Sequence, residues 1–264
     1  MLKNYNLMTT PLFKMKIIRE CVKSFKNWYL YPLTYFKLIK SPVVCLHTKN
    51  HLKITLRTKS TDLMALTNVW LTKEYSRTGF EIKDDDLIID IGSHIGLFVL
   101  LVSKKCKSGK IFCFEPIMEN YELLLKNLQD NHISNVYPFN IAVSDREQKI
   151  KVYLNSDQAG HSIYLESTSY VNVQSTTLKM IMDDNRIERC NLLKIDCEGA
   201  EYGIIESLPD QYLNKIDKMV IEYHFANVKS EPLDRLVHKL NSNSFKIDLV
   251  KHSEDMGLIY AKRI

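Results

Sequence analysis

The chain contains no Cys-x-x-Cys pair, no internal repeat or low-complexity tract, no signal-peptide core, and no apolar stretch near the roughly 18 residues that a membrane span requires. Its six cysteines, Cys21, Cys45, Cys106, Cys113, Cys190 and Cys197, stand singly, two of them inside apolar runs. That excludes a disulfide framework or zinc ribbon and reads as reduced core thiols. The expectation is a cytoplasmic protein. Acidic residues are nearly missing from one region. The first forty residues carry Lys3, Lys14, Lys16, Arg19, Lys23, Lys26, Lys37 and Lys40 against Glu20 alone, so the net charge of +5 belongs to this segment. Leu12, Phe13, Ile17, Ile18, Val22, Phe25 and Trp28 interleave with these cations at a loose helical spacing. A helix packing its apolar face on the rest of the chain is the expected role; peripheral contact with an anionic membrane through residues 11–29 is the second reading.

What is present is enough for a sizeable core. With 264 residues and 45% hydrophobic content, the chain fits one large domain with an appendage. From residue 87 onward, short apolar runs alternate with helix-like segments, which predicts a parallel sheet flanked by helices. Strands are expected at 87–91, 111–114, 136–141, 192–195, 218–222, 245–250 and 257–262. Helices are expected near 95–104, 119–128, 177–184, 200–207 and 232–240. Period-2 alternation from Lys149 to Val173, with a turn at Gly160-His161-Ser162, reads as an inserted β-excursion.

The most informative run is Leu87-Ile-Ile-Asp90-Ile-Gly92-Ser93-His94-Ile-Gly96, an apolar strand entering a glycine turn and then an apolar helix. A second strand follows and ends in Phe114-Glu115-Pro116, with its carboxylate roughly 20 residues past the turn, as a ribose partner requires. The second glycine of G-x-G-x-x-G is missing, and an acid precedes the first. Asp90 would repel a pyrophosphate, which disfavours a nucleotide-cofactor oxidoreductase and suits a zwitterionic or cationic ligand. D-x-G-x-x-x-G with a downstream acid is similar to the pattern of S-adenosylmethionine (SAM) dependent methyltransferases.

Two further strands end in polar residues. Leu192-Leu-Lys-Ile-Asp196-Cys-Glu198-Gly-Ala-Glu201 closes an apolar strand with an acidic cluster. Helix N-terminal charge preference accounts for Glu198 and Glu201 but not for Asp196. Met219-Val-Ile-Glu222-Tyr-His224 places a titratable imidazole at another strand end, with Glu222 on the same face. In an open α/β sheet, ligands bind beyond the carboxyl ends of strands where the strand order reverses. Asp196 is therefore expected beside the reacting groups.

Together with Asn120, Asn140-Ile-Ala142-Val-Ser-Asp145, Thr61-Asp62 and Glu74-Tyr75, these segments resemble the FkbM-type methyltransferases over most of residues 60–262. The resemblance implies a class I SAM-methyltransferase, a Rossmann-like seven-stranded sheet with helices on both faces. Residues 81–264 would form this domain, and residues 1–80 a helical and β extension that caps the acceptor side. It implies SAM as cofactor, held by Asp90, Gly92, Ser93, His94, Gly96, Glu115, Asn140 and Ala142. His94 is placed with binding, although it could also reach the acceptor. The implied reaction is O-methylation of a hydroxyl on a sugar, glycan, glycolipid or related small molecule. An inactive binding module of the same fold is the alternative. Nucleic acid is not an expected partner, since Asp196-Cys-Glu-Gly stands where amino-methylating enzymes carry an Asn/Asp-Pro-Pro-aromatic motif. Methyl transfer needs the acceptor proton removed, which makes Asp196 and His224 the candidate bases, with Glu198 or Glu222 orienting one of them. A divalent cation held by Asp196, Glu222 and His224 is a second route to the same end.

Overall fold

The computed structural model describes residues 10–153, 169–228 and 230–264. Helix α1 (Pro11–Ser24) opens on Pro11 with the Thr10 hydroxyl accepting from the Phe13 amide at 3.2 Å, an N-cap that satisfies one of the free amides of the first turn. A short α2 (Leu30–Tyr35) follows, then an antiparallel hairpin of β1 (Val43–His47) and β2 (Lys53–Arg57). Helix α3 (Asp62–Leu66) runs into a single π-helical turn, Thr67–Leu71.

From β3 (Leu87–Ile91) the chain alternates as expected: α4 (Leu97–Ser103), β4 (Lys110–Phe114), α5 (Met118–Asp130), β5 (Val136–Phe139). A small three-stranded sheet, β6 (Ala142–Ser144), β7 (Gln148–Tyr153) and β8 (Tyr170–Thr177), precedes α6 (Leu178–Asp184). Then come β9 (Leu192–Ile195), α7 (Glu201–Ser207), α8 (Asp210–Leu213), β10 (Lys218–Tyr223), α9 (Ser230–Ser242), β11 (Phe245–Lys251) and β12 (Gly257–Arg263). β7 and β8 pair antiparallel, in keeping with a β-excursion; the Gly160-His161-Ser162 turn lies outside the described residues. The helix expected from residue 95 starts at Leu97 because Gly96 takes a left-handed φ of +83° just before it.

The main sheet has seven strands in the order β11-β12-β10-β9-β3-β4-β5, parallel from β10 to β5, with β12 antiparallel to both its neighbours. Alternation along each strand sends residues to two separate cores. Ile88, Ile111, Leu192 and Val220 pack in one cluster, and Ile89, Phe112, Leu193 and Ile221 in the other. The first cluster also takes in Ile17, Cys21 and Phe25 from the N-terminal segment, so α1 packs an apolar stripe on the rest of the chain. Strand order reverses between β3 and β9, which puts the topological switch point beside the Gly92 turn. Among the described residues, no helix is long and apolar enough to cross a membrane.

Candidate functional site

A cavity of about 210 Å³ opens at this switch point. One wall is the turn after β3 together with the end of β4: Gly92, Ser93, His94, Glu115, Pro116 and Ile117. The amides of Gly92 and Ser93 both donate to the Phe114 carbonyl at 3.0 Å, locking the turn to β4. Glu115 is buried, and its carboxylate accepts from the amides of His94 at 2.9 Å and Ile117 at 3.0 Å and from Asn120 Nδ2 at 3.2 Å. Burial pushes the Glu115 carboxyl up to about 7, against the pull of those donors.

The opposite wall is acidic: Asp196, Glu198 and Glu222 line it with Lys194 and Tyr75. Strand parity explains the grouping. Asp90, Lys194 and Glu222 alternate in register with Ile88, Leu192 and Val220, which face the N-terminal segment, and Asp196 and His224 follow just past the ends of β9 and β10. Lys194 is the cross-strand partner of Asp90, and its Nζ donates to Asp90 Oδ1 at 3.0 Å and to the Gly92 carbonyl at 3.2 Å. The ring of Tyr75 lies 5.2 Å from that ammonium. Tyr75 Oη stands 3.1 Å from both Asp196 Oδ2 and Glu222 Oε2. A phenol has one proton, so both contacts are full hydrogen bonds only when one of the two carboxyls carries a proton of its own. Burial and then the Asp196 charge hold the Glu222 carboxyl well above the usual range, in keeping with that arrangement.

His224 sits behind this wall. Its Nε2 is 3.7 Å from Glu198 and Glu222 oxygens, its Nδ1 is 3.5 Å from Glu201, and its amide donates to Glu201 at 2.8 Å. Burial alone would lower its pKa; the Glu201 hydrogen bond and the Glu198, Glu201 and Glu222 charges win and raise it well above the ordinary value. Burial likewise lifts Glu198 and Glu74 to about 7 each, with the Asp196 charge adding to both. His94 and Glu198, both non-glycine, hold left-handed backbone at φ +50°.

The structure therefore gathers Gly92, Ser93, His94, Glu115, Ala142, Asp196, Glu198 and Glu222 around one cavity. Four sequence candidates stand elsewhere. Asp90 is fully buried beneath the cavity, with Oδ1 paired to Lys194. Gly96 packs against Leu124. Asn140 Nδ2 donates to the carbonyls of Glu115 and Pro116, supporting the turn from outside. His224 lies behind Glu222 and Glu198. Sequence reading gave no role to Lys194, Tyr75 or Arg57. Arg57 Nη2 reaches Asp62 Oδ1 at 2.8 Å and Asn120 Oδ1 at 2.8 Å and lies 3.3 Å from His94 Nε2, tying the β1–β2 hairpin to the glycine turn.

An open α/β sheet with a cleft at its switch point, a glycine turn and a buried carboxylate on one wall and acids on the other define the class as a class I methyltransferase fold. Residues 90–247 match the family model described as Methyltransferase FkbM domain, and the chain belongs to that family. The hexuronic acid methyltransferase AglP of Haloferax volcanii is 21% identical over 183 residues, covering 69% of this chain and 73% of its own. Methyltransferase 1 of Beauveria bassiana is 24% identical over 176 residues, covering 58% and 70%. The chain spans 9% of the AMB antimetabolite synthetase AmbE of Pseudomonas aeruginosa, which is 24% identical over 195 residues. Among solved structures, Aeropyrum pernix fibrillarin with natively bound S-adenosyl-L-methionine aligns with a TM-score of 0.42 at 16% identity, covering 68% of this chain and 67% of that one.

Proposed function

We propose that the protein transfers a methyl group from SAM to a hydroxyl of a sugar, glycan, glycolipid or related small molecule. The observation that carries this reading is the cavity itself, with the glycine turn and Glu115 on one side and Asp196 facing them. The residues present fit SAM. A side chain at Gly92 would collide with the Asp196 carbonyl, so the turn keeps a bare backbone, and the acidic wall suits a sulfonium. Glu115 would hold the ribose hydroxyls, the Gly92–His94 turn the methionine part, and Ala142 would border the adenine. SAM, when bound, supplies a methyl group already activated on a sulfonium.

The chain's own work is then to orient an acceptor hydroxyl and take its proton. Asp196 lines the cavity and is the base in this reading. The Tyr75 hydroxyl, 3.1 Å from Asp196 Oδ2 and from Glu222 Oε2, is the donor that would fix the carboxylate that receives the proton. His224 stands behind Glu198 and Glu222 and does not line the cavity, so in this reading it is a positioning residue instead of a base. The hexuronic acid activity in the name of the Haloferax relative supports a sugar-type acceptor. A divalent cation is the second reading, favoured by ligand atoms of Asp196, Glu222 and His224 that lie within 4.8 Å of one another; it requires His224 to give up its proton. Incubation with labelled SAM and a panel of hexuronic acids, neutral sugars and glycolipids, with and without EDTA, tests the proposal. Label in a base-stable ether on a sugar is expected. Transfer to nitrogen or carbon acceptors alone would overturn it.

A further inference from the structure

Helix α1 has two apolar faces, and the fold uses one. Ile17 and Cys21 are buried against the domain, whereas Leu12, Met15 and Val22 recur at i, i+3 and i+10 on the far side, with Leu12 79% and Met15 69% exposed. Lys16, Arg19 and Lys23 flank that outer stripe. Helix α2 repeats the pattern. Tyr31 and Thr34 turn inward, while Tyr29, Leu33 and Phe36 follow one another at i, i+4 and i+7 in water, Phe36 67% exposed. Apolar side chains kept in solvent at helical spacing on two consecutive helices cost the folded chain and contribute nothing to its core, which marks an interaction surface.

Charge selects the partner. Residues 10–40 carry seven cations against Glu20, and Glu20 is already paired with Lys23 at 2.7 Å. We propose that the outward face of residues 12–40 docks on an anionic lipid surface, with the apolar stripes entering the headgroup boundary and the lysines facing lipid phosphates. Aliphatic Leu12, Met15 and Leu33 suit acyl chains, and the exposed rings of Tyr29, Tyr35 and Phe36 suit the headgroup boundary, where one end of an aromatic is apolar and the other wet. The inference does not depend on the acceptor or on methyl transfer.

Cosedimentation of the full chain with mixed phosphatidylglycerol/phosphatidylcholine vesicles, pure phosphatidylcholine vesicles and single-stranded RNA tests it. The protein is expected to sediment with the mixed vesicles alone, less so as salt rises. Leu12→Ser/Met15→Ser, Leu33→Ser/Phe36→Ser and Lys16→Glu/Arg19→Glu should each weaken that binding at least about tenfold. All six positions are solvent-facing, so SAM affinity should stay at the parent value as the control for folding. Absence of sedimentation, sedimentation that these variants retain, or binding of RNA without lipid would each overturn the proposal.

Discussion

Gly92 and Asp196 approach so closely that a β-carbon at position 92 would collide with the Asp196 carbonyl oxygen. The cofactor turn and the acidic wall are thus built against each other at the strand-order reversal, and Gly92 also holds a left-handed φ of +78°. Gly92→Ala meets both obstacles. Its left-handed backbone alone costs about 1 kcal/mol, and the collision adds to it. Thermal unfolding should show a lowered melting temperature together with weakened SAM binding; parent-like values for both would mean that the two walls are free to separate.

Lys194 is clamped between Asp90 and the Gly92 carbonyl inside the sheet. Removing one partner of a buried pair leaves an uncompensated charge, typically about 3–5 kcal/mol. Lys194→Met should therefore destabilise on that scale in urea titrations, and Asp90→Asn by less, since the amide can still accept from Lys194. Equal and small effects would show the pair to be dispensable.

The pair also shows what the sequence made legible. Strand positions, the glycine turn, Glu115 and the acidic strand ends could be read from local patterns, since each lies in one continuous run. The partner of Asp90 is not readable from its own run, because a single run cannot reveal that a lysine sits opposite on β9. Both charged residues interrupt apolar strands, and pairing them by register was the available signal. The roles of Tyr75, which the sequence offers only as part of a family resemblance, and of Arg57 are hidden for another reason: both arrive from the segment before the sheet, whose docking depends on tertiary packing.

Three carboxyls, buried Glu115 and half-buried Glu74 and Glu198, have pKa values raised by folding, each to about 7 from an ordinary 4.5. A raised acid gives stability that is present below its unfolded value and lost as pH rises through the folded one. The ligand-free protein should accordingly lose stability between about pH 4.5 and 7. SAM binding should run the other way, tightening toward pH 7 and above as Glu115 ionises and can accept from ribose hydroxyls. A SAM-induced melting shift that is larger at pH 5 than at pH 8 would contradict the assignment.

At the acidic wall, Asp196→Asn should lower turnover by about 10²–10⁴-fold, the usual share of general-base catalysis, with SAM affinity little changed. Tyr75→Phe should lower turnover less, since it removes the donor held against Asp196 but leaves the carboxylate in place. His224→Gln should act mainly on stability. If His224→Gln matches Asp196→Asn in turnover while the protein remains folded, the imidazole is the base; activity lost to EDTA and restored by Mg²⁺ would favour the metal reading.

The central claim is that this cavity binds SAM through Glu115. Isothermal titration of the parent and of Glu115→Ala with SAM, and of the parent with NAD, tests it most directly. The account predicts saturable one-site binding of SAM, weakened by about 1.5–3 kcal/mol in Glu115→Ala through loss of charge-assisted hydrogen bonds, and no heat with NAD. Equal SAM affinity in a folded Glu115→Ala protein, or binding of NAD in place of SAM, would contradict it.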